Sequence, residues 1–392
     1  MNNAATPQDS PSARSSTVDG SELVPRVTID WYRSLPWLRL LSQAVGISWR
    51  ASHLILAAIA VCAISFGWRL GEMVFDPEGV CGLPFLTAFD QDSSFFERIK
   101  NGAQSLSVEN LKLESISAKV SAYFAFGILW TIGVCAFAGG LLARRSLMEM
   151  GIRSSVGWGP SCALVCKRWL SMVWGISMPL IAMIGLAMLP TALGVIARTG
   201  IIGQSVAIVL MIPATFLAIG MGWCAAISAL GFPLSICAIT AEKNADAFDG
   251  VSRSAAYLFQ RPMTLLVILT LAFCLAWLGD FVVQTVLSFG EQVLWAAFSI
   301  GLGGDIQDRI NDENALLVSL LWFAKAIVPA LRAAFLFSFF WSAAAAAYLT
   351  LRWEIDHTDF DELDLQELGE PVALPQFKKD AREVSEVVES ST

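Results

Sequence analysis

Residues 202–226 read IGQSVAIVLMIPATFLAIGMGWCAA, and the chain continues ISALGFPLSICAI through 239. No Asp, Glu, Lys or Arg occurs between Arg198 and Glu242. Apolar runs of about 18 residues or more are long enough to cross the hydrocarbon of a bilayer as a helix. This run exceeds what one crossing needs, so we place the crossing at 202–226 and an apolar continuation beyond it. Five further runs repeat the pattern, at 53–73, 120–142, 169–195, 263–286 and within 315–351, the core of the last being 327–350. The fold class that follows is all-α: a polytopic integral membrane helical bundle of about six transmembrane helices.

Composition agrees. Apolar residues make up 55% of the 392 and charged residues 15%, against about 25% charged in soluble domains. The net charge of −8 belongs to one segment. Residues 353–392 hold twelve acidic and three basic side chains, so the rest of the chain is close to neutral. That balance argues against nucleic-acid binding by bulk charge. Residues 1–34, rich in Ser, Asn, Pro, Thr and Asp up to residue 25, are expected to be a disordered cytoplasmic N-terminus. Residues 353–392 are expected to be an acidic, solvated cytoplasmic tail.

Orientation follows from cations in short loops, which stay on the side of synthesis. The segment 143–168 carries Arg144, Arg145, Arg153, Lys167 and Arg168 against Glu149 alone. Arg26, Arg33, Arg39 and Arg50 flank the first span. Both segments are assigned to the cytoplasm, and the acidic loops 74–118 and 291–313 to the opposite side. Six spans then return the C-terminus to the cytoplasm (N-in, C-in). The same five cations suit anionic lipid headgroups, so membrane lipids are expected partners. Re-entrant segments at 226–240 or 292–303 are an alternative. Residues 35–48 place Trp37, Leu38, Leu41, Ala44 and Val45 at helical spacing. They are expected to form an interfacial helix or an extension of the first span. Trp68 is expected as an interfacial anchor.

Within the spans, Pro179, Pro213 and Pro329 are candidate kinks. Ala136 with Gly140, and Ala218 with Gly222 and Ala226, make small-residue faces suited to close helix approach. Asp280 lies in the fifth span, while Lys325 and Arg332 share a face of the last helix. A charge at membrane depth needs a partner, so Asp280 is expected to pair with Lys325 or Arg332 near the outer leaflet.

The polar motif is EKNADAFDGVSRSAAYLFQRP at 242–262. Phe248, Val251, Ala255 and Leu258 form one helical stripe, and Asp246, Asp249, Arg253 and Tyr257 another. The spacing predicts a cytoplasmic amphipathic helix over 244–260, with Asp249 and Arg253 as an i,i+4 pair. It would be fixed to Arg144, Arg145, Arg352 or Asp356. The run Asp246 to Tyr257 with Arg261-Pro262, and Tyr348 to Arg352 followed by Asp356, Thr358, Asp361 and Glu362, resembles a family. That family comprises uncharacterised bacterial multi-span proteins related to the membrane domain ahead of glycerophosphodiester phosphodiesterase domains. The resemblance covers about 200–362. It implies a six-helix membrane domain; it does not imply phosphodiesterase activity, since that enzyme's catalytic barrel needs about 250 residues and a 40-residue tail follows the last span. Asp246-Ala247 and Asp249 to Ser252 are also loosely similar to the coupling loop of importer permeases, although Arg261-Pro262 stands where Leu-Pro would close that pattern.

No catalytic, cofactor or metal site emerges from the residue pattern. His53 and His357 are isolated from any nucleophile motif. Cys162 and Cys166 lie one turn apart without a second pair. The leading expectation is a non-enzymatic scaffold or accessory membrane subunit, with protein partners reached through the motif or the tail. The alternative is a transporter or permease using kinked helices and the charges of Asp280, Lys325 and Arg332.

Overall fold

The computed structural model describes residues 36–75, 118–153, 157–302, 315–360 and 362–363, without the side chains of 118, 302 and 315–326. Among these residues it is 92% helical, with no strand. We number the helices α1 (Pro36–Ser48), α2 (Ala51–Phe75), α3 (Ala118–Val134), α4 (Gly140–Gly151), α5 (Trp158–Ala197) and α6 (Ile201–Ala226). They continue with α7 (Phe232–Ala241), α8 (Ala247–Gln260), α9 (Pro262–Leu302) and α10 (Ala315–Ile355). Single π-helical turns at Cys135–Gly139 and Ile227–Gly231 join α3 to α4 and α6 to α7. Six helical runs are long and apolar enough to cross a membrane: Ala51–Phe75, Lys119–Gly151, Trp158–Ala197, Ile201–Ala241, Pro262–Gly301 and Ile327–Ile355.

Several expected boundaries move. The segment 143–168 is not a loop, because α4 runs through Arg144 and Arg145 to Gly151 and α5 begins at Trp158. Lys167 and Arg168 therefore sit inside a helix. Buried guanidinium groups do not end a helix when they find acceptors within the fold. Neither 226–240 nor 292–303 is re-entrant through residue 302: the first is a continuous π-turn and helix, and α9 carries on to Leu302. Residues 291–302 are thus helix rather than outside loop. Val74 and Phe75 belong to α2 and Ala118 to α3; the rest of the expected 74–118 loop, the acidic tail beyond Leu363 and residues 1–35 lie outside the described residues.

Two packing regimes divide the molecule. α4, α7, the end of α10 and the first helix form a dense core: Leu41, Leu142, Met148, Ile236, Ile239, Trp341 and Tyr348 are buried there. α1 is helical as expected, and one face of it is packed into the fold. It packs Leu40, Leu41, Ala44 and Ile47 against α10, and Trp49 rests on Phe335 with ring centroids 5.0 Å apart. From this core three apolar arms extend. In one, α2 and α3 interlock reciprocally. A Cβ on Gly67 would meet Trp130 at 2.0 Å, and one on Gly127 would meet Trp68 at 2.2 Å. Each indole N–H is satisfied: Trp130 donates to the Ala63 carbonyl at 2.8 Å and Trp68 to Thr131 at 3.1 Å. Trp68 is therefore a buried packing residue, not the expected interfacial anchor.

The second arm is the α5–α6 hairpin, closed by Gly200 at φ 106, a left-handed backbone that glycine adopts without strain. Pro179, Pro190, Pro213 and Pro329 lie inside helices; Pro190 was not among the expected kinks. Gly140 packs tightly against Met172, whose sulfur would lie 2.8 Å from a Cβ added there, but Gly222 faces open space. The small-residue face at Ala218, Gly222 and Ala226 thus does not serve close helix packing at Gly222. The third arm is the distal part of α9.

Candidate functional site

The site is a hub of charges built on the end of α7. That helix is buried from Pro233 to Ala241, so its last carbonyls have no water to bind. The final carbonyls of any helix also lack intrahelical partners. Two arginines supply the donors. Arg144 Nη1 donates to the Thr240 carbonyl at 2.6 Å. Arg168 Nη1 donates to the carbonyls of Ile239 and Glu242, each at 2.7 Å. A helix C-terminus carries partial negative charge, which further favours cations there.

At Glu242 the backbone turns extended, with φ −94 and ψ 148, and the carboxylate becomes the centre of the hub. Its Oε1 accepts from Tyr348 at 2.9 Å. It lies 3.0 Å from Arg352 Nε and 3.4 Å from Arg253 Nη1. Asn244, at φ 57, makes the left-handed step that asparagine tolerates better than most residues. Asp246 then caps α8, accepting from the Asp249 N–H at 2.9 Å, the arrangement that asparagine and aspartate side chains favour at a helix start.

α8 folds back along α7 as a hairpin. The close approach depends on Gly250, whose Cβ would stand 2.8 Å from Ile239, and on Gly231 beside Ser254. Gly250, Ser254, Tyr257 and Leu258 face inward, while Phe248, at 68% exposure, and Phe259, at 40%, face outward. The inward face of α8 thus combines Gly250 and Ser254 with Tyr257 from one expected stripe and Leu258 from the other, while Phe248 of that second stripe turns outward. Tyr257 donates to Asp356, and Arg253 stands 3.8 Å from the same carboxylate. Arg253 therefore turns to Glu242 and Asp356 and not to Asp249, which is exposed. Burial, and then the bond to Asp356, push the Tyr257 phenol well above its ordinary value. For Arg253, burial opposes the charge but the neighbouring Glu242 outweighs it, holding the guanidinium above its ordinary value.

The remaining expected residues are dispersed. Arg145 lies over the Trp158 ring at 3.8 Å, a cation–π contact. Arg153, at φ 57, and Lys167 are exposed. Of the two expected partners for α8 on α4, Arg144 donates to Thr240 on α7 and Arg145 lies over Trp158. The expected anchor at Asp356 reaches α8, and Arg352 joins through Glu242. Arg352 also ties down the following segment, donating from Nη2 to the Glu362 carbonyl at 2.7 Å.

A second cluster lies where α9 crosses α10. Arg332 grips Asp280 with two bonds, Nε to Oδ1 at 2.7 Å and Nη2 to Oδ2 at 2.6 Å, and Nη2 also donates to Gln284 at 2.7 Å. Both charged side chains are buried. Gly279 allows the approach, because a Cβ there would meet Phe335 at 2.6 Å. Of the two cations expected for Asp280, Arg332 is the partner, and the side chain of Lys325 lies outside the described residues.

Glu242 is the member that sequence reasoning did not single out. Its signal was positional, as the first charge after a long uncharged run. Among the described residues no group of three His, Cys, Asp or Glu side chains is arranged to hold a metal ion. The Cys162 and Cys166 sulfurs stand 4.0 Å apart. Compared with known proteins, the chain matches no family model, no curated protein and no solved structure.

Proposed function

We propose that the chain is a non-enzymatic scaffold or accessory subunit of a cell membrane, with its hub on the cytoplasmic side. The observation that carries this reading is where the hub spends its charges. Arg144 and Arg168 bind backbone carbonyls, and Glu242 and Asp356 receive Arg253, Arg352, Tyr257 and Tyr348. These groups hold helices together. What the hub presents outward is α8, with Phe248, Asp249, Ser252 and Phe259 exposed. A protein partner engages that face, and the acidic tail that follows the hub is a second point of attachment. The excess of arginine around α4 and the start of α5 favours the cytoplasmic side for this end. The likeness of the Asp246–Tyr257 run to bacterial multi-span proteins supports the same six-helix assignment and a bacterial cytoplasmic membrane.

The test compares wild type with a Phe248→Ala/Asp249→Ala variant, both purified full-length from native membranes in mild detergent. We expect a stoichiometric partner in the wild type, lost in the variant at unchanged melting temperature. Retention of the same partner by the variant would sink this reading. A second reading, a permease, draws on Asp280, Gln284 and Arg332 inside candidate spans, with Arg332 three residues beyond Pro329. Solute movement across proteoliposomes that fails in Asp280→Asn would favour it.

A further inference from the structure

The foot of α9 carries a cavity of about 400 Å³, lined by Arg261, Thr264, Trp353, Glu354 and His357. That volume falls in the ordinary range of small-ligand sites. It is separate from the hub, whose cations and carboxylates are engaged with each other. Its position is informative. Arg261 and Pro262 are the last residues before a candidate span, Pro262–Gly301. The first turns of that span expose Met263, at 75%, and Leu266, at 58%. A polar cavity thus opens at the point where an apolar, lipid-facing surface begins. His357 is held in a left-handed backbone conformation, φ 53, at the point where α10 gives way to the docked segment ending at Leu363.

The lining carries both signs. Arg261 is a planar guanidinium suited to phosphate oxygens, with the Thr264 hydroxyl and the His357 imidazole as further hydrogen-bonding groups. Glu354 is an anion, and Trp353 beside it offers an aromatic face to a cation. An anion alone would leave Glu354 opposed, and a cation alone would leave Arg261 opposed. A ligand carrying a phosphodiester and an ammonium a few ångströms apart satisfies both. We propose that this cavity binds the zwitterionic headgroup of a phosphoethanolamine-type phospholipid. Its phosphate meets Arg261 and Thr264, its ammonium meets Glu354 and Trp353, and its acyl chains lie along Met263 and Leu266. The assignment rests on the lipid-facing nature of α9 and is independent of any protein partner at α8.

Binding of dihexanoyl phosphatidylethanolamine, dihexanoyl phosphatidylglycerol and free phosphoethanolamine to the full-length protein in mild detergent tests this, read by native mass spectrometry. We expect the ethanolamine lipid to bind about tenfold more tightly than the glycerol lipid, the scale of one lost charged contact. Free phosphoethanolamine is expected to bind more weakly still, lacking chains. Glu354→Gln should erase the preference between the two lipids, and Arg261→Gln should weaken both about tenfold. Arg261 is exposed and Glu354 partly so, so both variants are expected to fold. Should either lower the melting temperature, Thr264→Val gives the decisive comparison, with weaker binding of both lipids expected. Equal binding of the two lipids by the wild type, or wild-type binding by both charge variants, overturns the proposal. Free phosphoethanolamine binding as tightly as the lipid also overturns it, assigning the cavity to a water-soluble phosphate ester.

Discussion

The α5–α6 hairpin and the end of α10 are both apolar helix, yet they are packed in opposite ways. The most apolar window of Trp158–Ala197 is 0% buried within the protein and that of Ile201–Ala241 is 6%, whereas that of Ile327–Ile355 is 83% buried. The last of these is the least apolar of the six. Hydropathy and burial thus run in opposite directions, which is the pattern expected when lipid rather than protein covers the most apolar surface. In water the hydrophobic effect would draw the arms onto the core. Close packing is kept where small residues and polar contacts exist to drive it, as in the α10 segment with its run of alanines from Ala343 to Ala347.

That contrast can be broken or sharpened by substitution, with thermal unfolding in detergent as the measurement. Arg332→Ala should have the largest effect, because it removes the two-bond partner of the buried Asp280 carboxylate; removing one partner of a buried pair costs about 3–5 kcal/mol. A loss under 1 kcal/mol would show that Asp280 reaches solvent and that the α9–α10 crossing belongs with the arms. Gly139→Leu comes next. A Cβ there would lie 2.2 Å from Trp341, and overpacking of this kind costs about 1–3 kcal/mol. Tyr257→Phe should cost about 1 kcal/mol, the worth of one hydrogen bond.

Tyr257 also predicts a pH limb. Its phenol is held above the ordinary 10.0 in the folded state, so the fold retains a proton that the unfolded chain releases. Stability is full below that pH and falls as pH rises above it, and Tyr257→Phe should flatten the fall. The smallest effect belongs to the arm. Gly222→Leu faces open space and should change stability by less than about 0.5 kcal/mol, like other surface changes. A loss comparable to that at Gly139 would mean that another chain, not lipid, covers this hairpin.

The sequence made the arms legible because their signal is one-dimensional: long runs without charge, interrupted by proline and bounded by arginine. The Asp280–Arg332 pair was legible for a related reason, since a charge inside such a run needs a partner. The hub was only partly so. Asp246, Arg253 and Tyr257 stand at helical spacing, but Arg253 pairs with Glu242 and Asp356 instead of Asp249, and no local periodicity encodes a contact spanning 106 residues, as between Tyr348 and Glu242. Arg144 and Arg168 misled for a physical reason. As charges in a sequence they mark a membrane boundary, but in the fold they are donors to a buried helix end, so α4 and α5 run straight through them. Residues 35–48 were readable as helical but not as core, because the same stripe suits a bilayer surface and a helix groove.

The way the end of α7 is held has a consequence for biosynthesis. Arg144 and Arg168 leave the ribosome before Thr240, so the acceptors of α7 meet waiting donors as soon as they emerge. Glu242 does not: Tyr348 and Arg352 are translated about a hundred residues later, and Asp356 later still. Until the end of α10 is threaded, the α7–α8 hairpin lacks those contacts, which makes the end of α10 the latch that closes assembly. A nascent chain halted before Tyr348 would keep its apolar arms yet leave the Glu242 carboxylate without Tyr348 and Arg352, a feature by which membrane quality control sorts unfinished copies from complete ones.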